Sequence, residues 1–274
     1  MDKRTNSKDL FRRMVSAITI NESTGEIESI VYLVLHSLFG VRREHIMVDK
    51  ELTYDEEELD AIVARINNNE PIQYILNEAE FCGRLFYVDK NVLIPRPETE
   101  LLVREILDFV KERPLKIVDV GTGSGCIAVT LACELPNATV IATDVSNAAI
   151  DVAYKNSLTF NTFVEFFVTD VLTEALPEAD VIVSNPPYIA RAEMTSMAPN
   201  VLEHEPHLAL FVDDNDPLVF YKAIAGNNAK AIFVEINERF GAGARSIFEE
   251  RGFNVDVIKD IDGKDRIIKA TKII

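Results

Sequence analysis

Along the chain, apolar positions recur first at helical spacing and later in short unbroken runs. Leu10, Met14, Val15 and Ile18, then Ile27, Ile30, Val31, Val34, Leu35 and Leu38, mark single helical faces, so residues 8 to about 76 read as helices. Gly40 ends the second of them. Thr53-Tyr54-Asp55-Glu56 has capping-box spacing ahead of a helix through Leu59, Ile62, Val63 and Ile66, which Asn67-Asn68-Asn69 stops. Pro71 then opens a short helix to Leu76. From residue 78 to 93 the pattern changes: 80–83 and 85–89 read as the strands of a hairpin connector.

Beyond that connector, runs at 116–120, 139–143, 163–168 and 181–183 are apolar enough for strands buried on both faces, and helical patterns separate the first three. A helix at 217–227, a strand at 229–236 and a helix at 241–252 follow. Strands at 253–259 and 265–271, joined through Asp260-Ile261-Asp262-Gly263-Lys264, read as an antiparallel edge hairpin. About seven strands alternating with helices predict a Rossmann-like α/β sheet. Residues 189–217 read as a long irregular stretch, the kind that forms lids or substrate grips. The expected organisation is an N-terminal helical domain (1–77), a β-hairpin linker (78–92) and an α/β domain (93–274).

Composition narrows the class. The chain has 274 residues, 47% hydrophobic and 27% charged, with a net charge of −17. That balance disfavours a broad phosphate-gripping surface and suits a protein or small-molecule substrate. Cys82, Cys126 and Cys133 have neither CxxC spacing nor a histidine cluster, so buried free thiols are expected, with no metal site and no disulfide. The first nine residues carry both signs of charge and lack a signal-peptide core, and the apolar run at 30–41 is too short to span a bilayer. A cytoplasmic protein is expected.

Two stretches carry chemistry. In Asp119-Val120-Gly121-Thr122-Gly123-Ser124-Gly125 a strand runs into glycines ahead of a helix. Glycines let backbone approach a ligand, and the helix start offers N–H groups. Asp144, at the end of the next strand and about twenty residues on, is placed to accept both ribose hydroxyls of a nucleoside. The G-x-G-x-G pattern, without the Lys-Ser/Thr of a P-loop, fits S-adenosylmethionine better than NAD or ATP. Asp170, at the next strand end, reads either as an adenine contact or as a turn residue.

The second stretch is Asn185-Pro186-Pro187-Tyr188, directly after Val181-Ile182-Val183-Ser184. Prolines cannot donate to a ladder, so the chain leaves the sheet where open α/β sheets bind ligands. An amide nitrogen is a poor nucleophile because resonance occupies its lone pair. The Asn185 side-chain oxygen and the Pro186 carbonyl can each accept one of its N–H bonds, and Tyr188 can stack on the flat group. A carboxylate, which offers no N–H, is rejected. Asp55, Glu56, Glu57 and Glu58 read as a solvated face, and His204, which has no partner evident in the sequence, as a loop histidine.

The chain resembles the HemK/PrmC family of protein-(glutamine-N5) methyltransferases acting on peptide chain release factors. The resemblance is carried by Pro71-Ile72-Gln73-Tyr74, Glu80-Phe81-x-Gly83, Ile94-Pro95-Arg96-Pro97-Glu98-Thr99-Glu100, the 119–125 loop, Ser184 to Tyr188, Glu205-Pro206 and Asp265-Arg266, in family order over nearly the whole length. The Asn-Pro-Pro-Tyr motif is shared with DNA adenine N6-methyltransferases; the proline-arginine-proline-glutamate stretch is far more particular. The resemblance implies a seven-stranded class I methyltransferase domain behind a helical substrate-recognition domain. It implies methyl transfer from S-adenosylmethionine, leaving S-adenosylhomocysteine, to the glutamine of the Gly-Gly-Gln loop of class 1 release factors. Gly121, Thr122, Gly123, Ser124, Gly125, Asp144, Asp170, Val171 and Asn185 would line the cofactor site. Asn185, Pro186, Pro187 and Tyr188, with Arg96 and Glu98, would meet the substrate, Asn185, Pro186 and Tyr188 serving catalysis. No nucleic-acid or membrane partner is expected, and a monomer is. The sequence departs from the family at Leu76-Asn77, Cys82, His204 and Asn237. The competing readings are a nucleic-acid exocyclic-amine methyltransferase using the same grip, and a binding module without turnover.

Overall fold

The computed structural model describes residues 2–272. It forms two units, one from the chain up to Asn77 together with Ala198–His204, the other from Glu78–Met197 and the chain from Glu205 on.

In the first unit, strand β1 (Asp2–Asn6) precedes helices α1 (Ser7–Ala17), α2 (Thr24–Phe39) and α3 (Arg43–Met47). Strand β2 (Glu51–Asp55) pairs antiparallel with β1, and helices α4 (Glu56–Asn67) and α5 (Ile72–Leu76) follow. Leu10, Met14, Val31, Val34, Leu35, Leu59 and Ile66 pack as its core. The β1–β2 ribbon corrects the all-helical expectation. Its physical signature is the alternation of buried Leu52 and Tyr54 with exposed neighbours, a period of two rather than 3.6. Thr53 therefore lies in a strand and caps nothing. Asp55 is the N-cap, its carboxylate accepting from Glu57 N at 2.8 Å. Gly40 ends α2 in the left-handed region, φ 60°, as expected. Asn77 adopts φ 56° after α5, a conformation that asparagine tolerates better than most residues.

The second unit opens with hairpin strands β3 (Ala79–Phe81) and β4 (Arg84–Phe86). The two residues between them, Cys82 at φ 49° and Gly83 at φ 70°, supply the positive φ angles that a tight primed turn demands. Then come α6 (Thr99–Val110), β5 (Lys116–Val120), α7 (Cys126–Glu134), β6 (Thr139–Asp144), α8 (Asn147–Thr159), β7 (Glu165–Val168) and β8 (Val181–Ser184). The stretch expected to be irregular holds short elements instead: β9 (Ile189–Ala190), a 3-10 turn (Arg191–Ser196), α9 (Pro199–His204), which belongs to the first unit, α10 (His207–Leu210) and β10 (Phe211–Val212), with β9 and β10 paired in parallel. Pieces of two to six residues lack the periodicity that would announce them. Helix α11 (Val219–Ala225), β11 (Ala231–Glu235), α12 (Gly241–Glu250), β12 (Asn254–Lys259) and β13 (Asp265–Thr271) complete the unit.

Seven strands form one sheet in the order β12-β13-β11-β8-β5-β6-β7, with β13 antiparallel to both neighbours and the rest parallel. Ile117, Val181, Val183 and Phe233 face a core shared with Leu102, Ile106 and Leu131. Val118, Val120, Ile182 and Val234 face the opposite one with Tyr221, Ile224 and Phe248. Each such side chain contributes about 1.5–3 kcal/mol by leaving water, which is why these strands read as continuous apolar runs. The sequence goes from β5 outward through β6 and β7, then crosses to β8 on the other side of β5. The crevice at that reversal is where such sheets bind ligands. Among the described residues no helix is long and apolar enough to cross a membrane.

Candidate active site

Strands β5 and β8 lie side by side, Val120 opposite Ser184, and the Ser184 hydroxyl donates to Val120 O at 2.7 Å. Gly121 and Asn185 therefore leave the sheet from adjacent strand ends. A cavity of about 280 Å³ opens there, lined by Gly121, Gly123, Asp144, Val171, Asn185 and Pro186 among others.

On the β5 side the glycine loop turns through left-handed backbone. A Cβ on Gly121 or Gly123 would meet no protein atom within 4 Å, whereas one on Gly125 would come within 2.9 Å of Ala153 Cβ on α8. Gly121 N and Thr122 N both donate to Thr143 O, which ties the loop to β6. The Asp144 carboxylate accepts from Gly123 N and Ser146 N, each at 2.9 Å. Burial pushes that carboxyl above the usual carboxylate range, against the pull of these N–H groups. Thr122, Ser124 and Gly125 lie outside the cavity lining and build the loop instead. Thr122 donates to Asp119 Oδ2 at 2.7 Å, and Ser124 O accepts from Asn156 Nδ2 at 2.8 Å. Asn156, fully buried on α8, also exchanges two hydrogen bonds with the Tyr87 backbone, joining the hairpin segment to the loop.

On the β8 side Asn185, Pro186 and Pro187 line the cavity and Tyr188 does not. The Tyr188 hydroxyl donates to Glu235 Oε1 at 3.0 Å. Glu235 Oε2 accepts from the Thr99 hydroxyl at 2.7 Å, and Thr99 Oγ1 in turn accepts from Asn185 Nδ2 at 3.1 Å. Burial raises the Glu235 carboxyl while its bonds to Thr99 and Tyr188 lower it. Burial, then the adjacent Glu235 charge, raises the Tyr188 phenol.

The remaining predicted residues separate. Asp170 and Val171 line the cavity, and Asp170 also works as a turn residue, accepting from Leu172 N at 2.9 Å and the Thr173 hydroxyl at 3.0 Å. Arg96 and Glu98 lie outside the lining: Arg96 pairs with Glu205 at 2.5 Å, and Glu98 is exposed at the N-cap of α6. The same Glu205 carboxylate accepts from Ile94 N at 3.2 Å, fixing the loop ahead of α6. His204 Nε2 lies 3.1 Å from Asn68 O in the first unit. Sequence reading missed Thr99, Glu235 and Asn156 as polar anchors. In the sequence Thr99 stands only within the 94–100 stretch that carries the resemblance, and Glu235 only within the strand expected at 229–236.

The chain is similar to known methyltransferases. A family model described as the methyltransferase small domain matches residues 97–217. A curated relative from Flavobacterium psychrophilum, named release factor glutamine methyltransferase, is 42% identical over 96% of this chain and 98% of its own. One of the same name from Bacteroides thetaiotaomicron is 42% identical over 90% of this chain and 93% of its own. A solved protein-(glutamine-N5) methyltransferase, release factor-specific, from Alicyclobacillus acidocaldarius is 32% identical, covers 68% of this chain and 99% of that one, and has a TM-score of 0.42. At these identities over nearly full length, the chain belongs to the release factor glutamine methyltransferases.

Proposed function

We propose that the protein methylates the side-chain amide nitrogen of the glutamine in the Gly-Gly-Gln motif of class 1 peptide chain release factors, with S-adenosylmethionine as donor. The observation that carries the reading is one cavity shared by the glycine loop, Asp144 and the Asn185-Pro186 turn. The residues suit the donor. Gly121 and Gly123 leave open space where side chains would stand, and Asp144 presents an acceptor edge at the wall. Bound there, S-adenosylmethionine supplies a sulfonium-activated methyl group and leaves as S-adenosylhomocysteine.

The chain's own work is orientation. Asn185 Oδ1 and the Pro186 carbonyl each accept one N–H of the substrate amide, drawing its nitrogen away from planarity and turning its lone pair toward the electrophile. No base is required before attack, because one of the nitrogen's own two protons leaves to water after the N–C bond has formed. Glutamate is rejected, since its carboxylate sets acceptor against acceptor. Arg96 and Glu98, on the segment ahead of α6, are proposed to meet the protein substrate rather than the reacting amide. The first unit is proposed as the release-factor-recognising part.

The test is transfer of labelled methyl into a purified class 1 release factor, beside its Gly-Gly-Ala version and equal masses of DNA and ribosomal RNA. Label on the unaltered factor alone is expected. Label on nucleic acid would overturn the substrate and leave the amide grip standing.

A further inference from the structure

The grip on the substrate amide has a weakness that its own residues do not cure. A half-turn of the Asn185 side-chain amide exchanges oxygen for nitrogen at almost no steric cost. In one sense the group accepts from the substrate N–H; in the other it offers a donor to a donor. Shape does not choose between them.

We infer that Thr99 and Glu235 form a positioning pair that fixes the sense of the Asn185 amide, so that Oδ1 and not Nδ2 faces the substrate nitrogen. The inference rests on the proposed glutamine amide chemistry and deepens it. Thr99 has a single hydroxyl hydrogen, and it is given to Glu235 Oε2 at 2.7 Å. Only a lone pair is left toward Asn185, so the Asn185 atom 3.1 Å away must be the N–H2 group. Glu235 keeps its role of acceptor because its other oxygen receives the Tyr188 hydroxyl at 3.0 Å. Thr99 and Glu235 are 2% and 1% exposed, so water does not compete for these bonds. The fold builds the pair in: β11 runs parallel to β8 with Val234 opposite Ser184, which carries Glu235 to the strand end beside Asn185, while α6 begins at Thr99. One carboxylate thereby holds both ends of the Asn185-Pro186-Pro187-Tyr188 turn.

The experiment compares Thr99→Val, Thr99→Ser and Glu235→Gln in the full chain, reading kcat, KM for the release factor, and S-adenosylhomocysteine affinity. Thr99→Val removes the hydroxyl at constant shape. Glu235→Gln places an N–H2 where one acceptor stood, so that the hydrogen-bond sense can reverse. Both are expected to lower kcat by roughly tenfold to a hundredfold, the cost of a misaligned reacting group, with KM and S-adenosylhomocysteine affinity within about threefold. Thr99→Ser is expected to recover most of the loss. A kcat loss below about fivefold in both variants overturns the inference. So does a loss shared equally by serine, or one accompanied by lost S-adenosylhomocysteine binding, since either marks a merely structural role. Exchange of the Asn185 side-chain amide protons, followed by ¹⁵N NMR, decides independently of turnover: slow in the wild type and fast in Thr99→Val is expected, and equal rates overturn the pair. Should the wild type transfer no methyl to a release factor, the proposed function falls and the exchange measurement alone judges the inference.

Discussion

The two strand ends that meet at the cavity are built from opposite materials. After β5 the chain turns on glycines in left-handed conformation, at φ 72°, 54° and 78°. After β8 it turns on two prolines, which have no N–H at all. Glycine can bring backbone donors up to a ligand with no side chain in the way. Proline presents a carbonyl acceptor with no donor beside it. The first turn suits a nucleoside whose hydroxyls and edges need many partners, and the second suits an amide whose two hydrogens need acceptors. The lesson is that the division of labour resides in the backbone, and that side chains then fix orientation within each turn.

The sharpest way to break the comparison is to remove the acceptor from the proline turn. Asn185→Ala is expected to lower methyl transfer by about a thousandfold, roughly 4 kcal/mol of transition-state stabilisation. Affinity for S-adenosylmethionine should stay within about tenfold, or about 1.4 kcal/mol. Steady-state turnover beside calorimetric binding measures both, and near-normal turnover would sink the mechanism.

The glycine turn should fail differently at each position. Gly125→Ala forces a left-handed alanine and drives its Cβ to 2.9 Å from Ala153. A loss of about 3 kcal/mol in denaturant unfolding is expected. Gly123→Ala meets no such neighbour, so only the backbone strain of about 1 kcal/mol applies to stability. Its methyl group enters space at the cavity wall, and the deficit should appear in cofactor affinity. Equal stability losses for the two would show that contact with α8 does not matter. Away from both turns, Arg96→Met would leave the Glu205 carboxylate, 1% exposed, with Ile94 N as its remaining donor among the described residues. A loss of about 2 kcal/mol in the same assay is expected.

How much of this was legible before the structure follows the same division. Backbone-driven features announce themselves. Gly-x-Gly-x-Gly between a β-run and a helix, and Asn-Pro-Pro-Tyr after Val-Ile-Val-Ser, are local patterns, and the strands around them are buried on both faces and so continuously apolar. The Thr99–Glu235 link joins residues far apart in sequence, and each looks ordinary in its own segment. The β1–β2 ribbon escaped for a related reason: five-residue strands carry only two or three alternations, and Thr53-Tyr54-Asp55-Glu56 also matches a helix-start pattern. Tyr188, expected at the substrate face, proved to be tethered through its hydroxyl to Glu235 and outside the cavity lining, a consequence of tertiary pairing that no local pattern encodes.

The most gradual expected effect, spread over several pH units, concerns the support beneath the glycine turn. Asp119 is fully buried, with Oδ2 bonded to Thr122 and Oδ1 among the buried atoms without a hydrogen-bond partner. Burial pushes its carboxyl from 3.8 to about 7, with a further upward contribution from Asp144. The native state therefore holds this proton more tightly than the unfolded chain, which releases it near pH 4. Between about pH 4 and 7 folding takes up a proton at this site, so its contribution to stability is full at the acid end and declines as pH rises. A single group contributes at most about 1.4 kcal/mol per pH unit to that slope. Asp144 and Glu235, also raised by burial, act in the same direction and keep part of the slope when Asp119 is silenced. Asp119→Asn, which stays neutral and still accepts from Thr122, should flatten the decline without changing its sign. Thermal unfolding midpoints from pH 5 to 8 measure it. A variant slope as steep as the wild type would place the Asp119 proton elsewhere and leave the glycine turn indifferent to the charge beneath it.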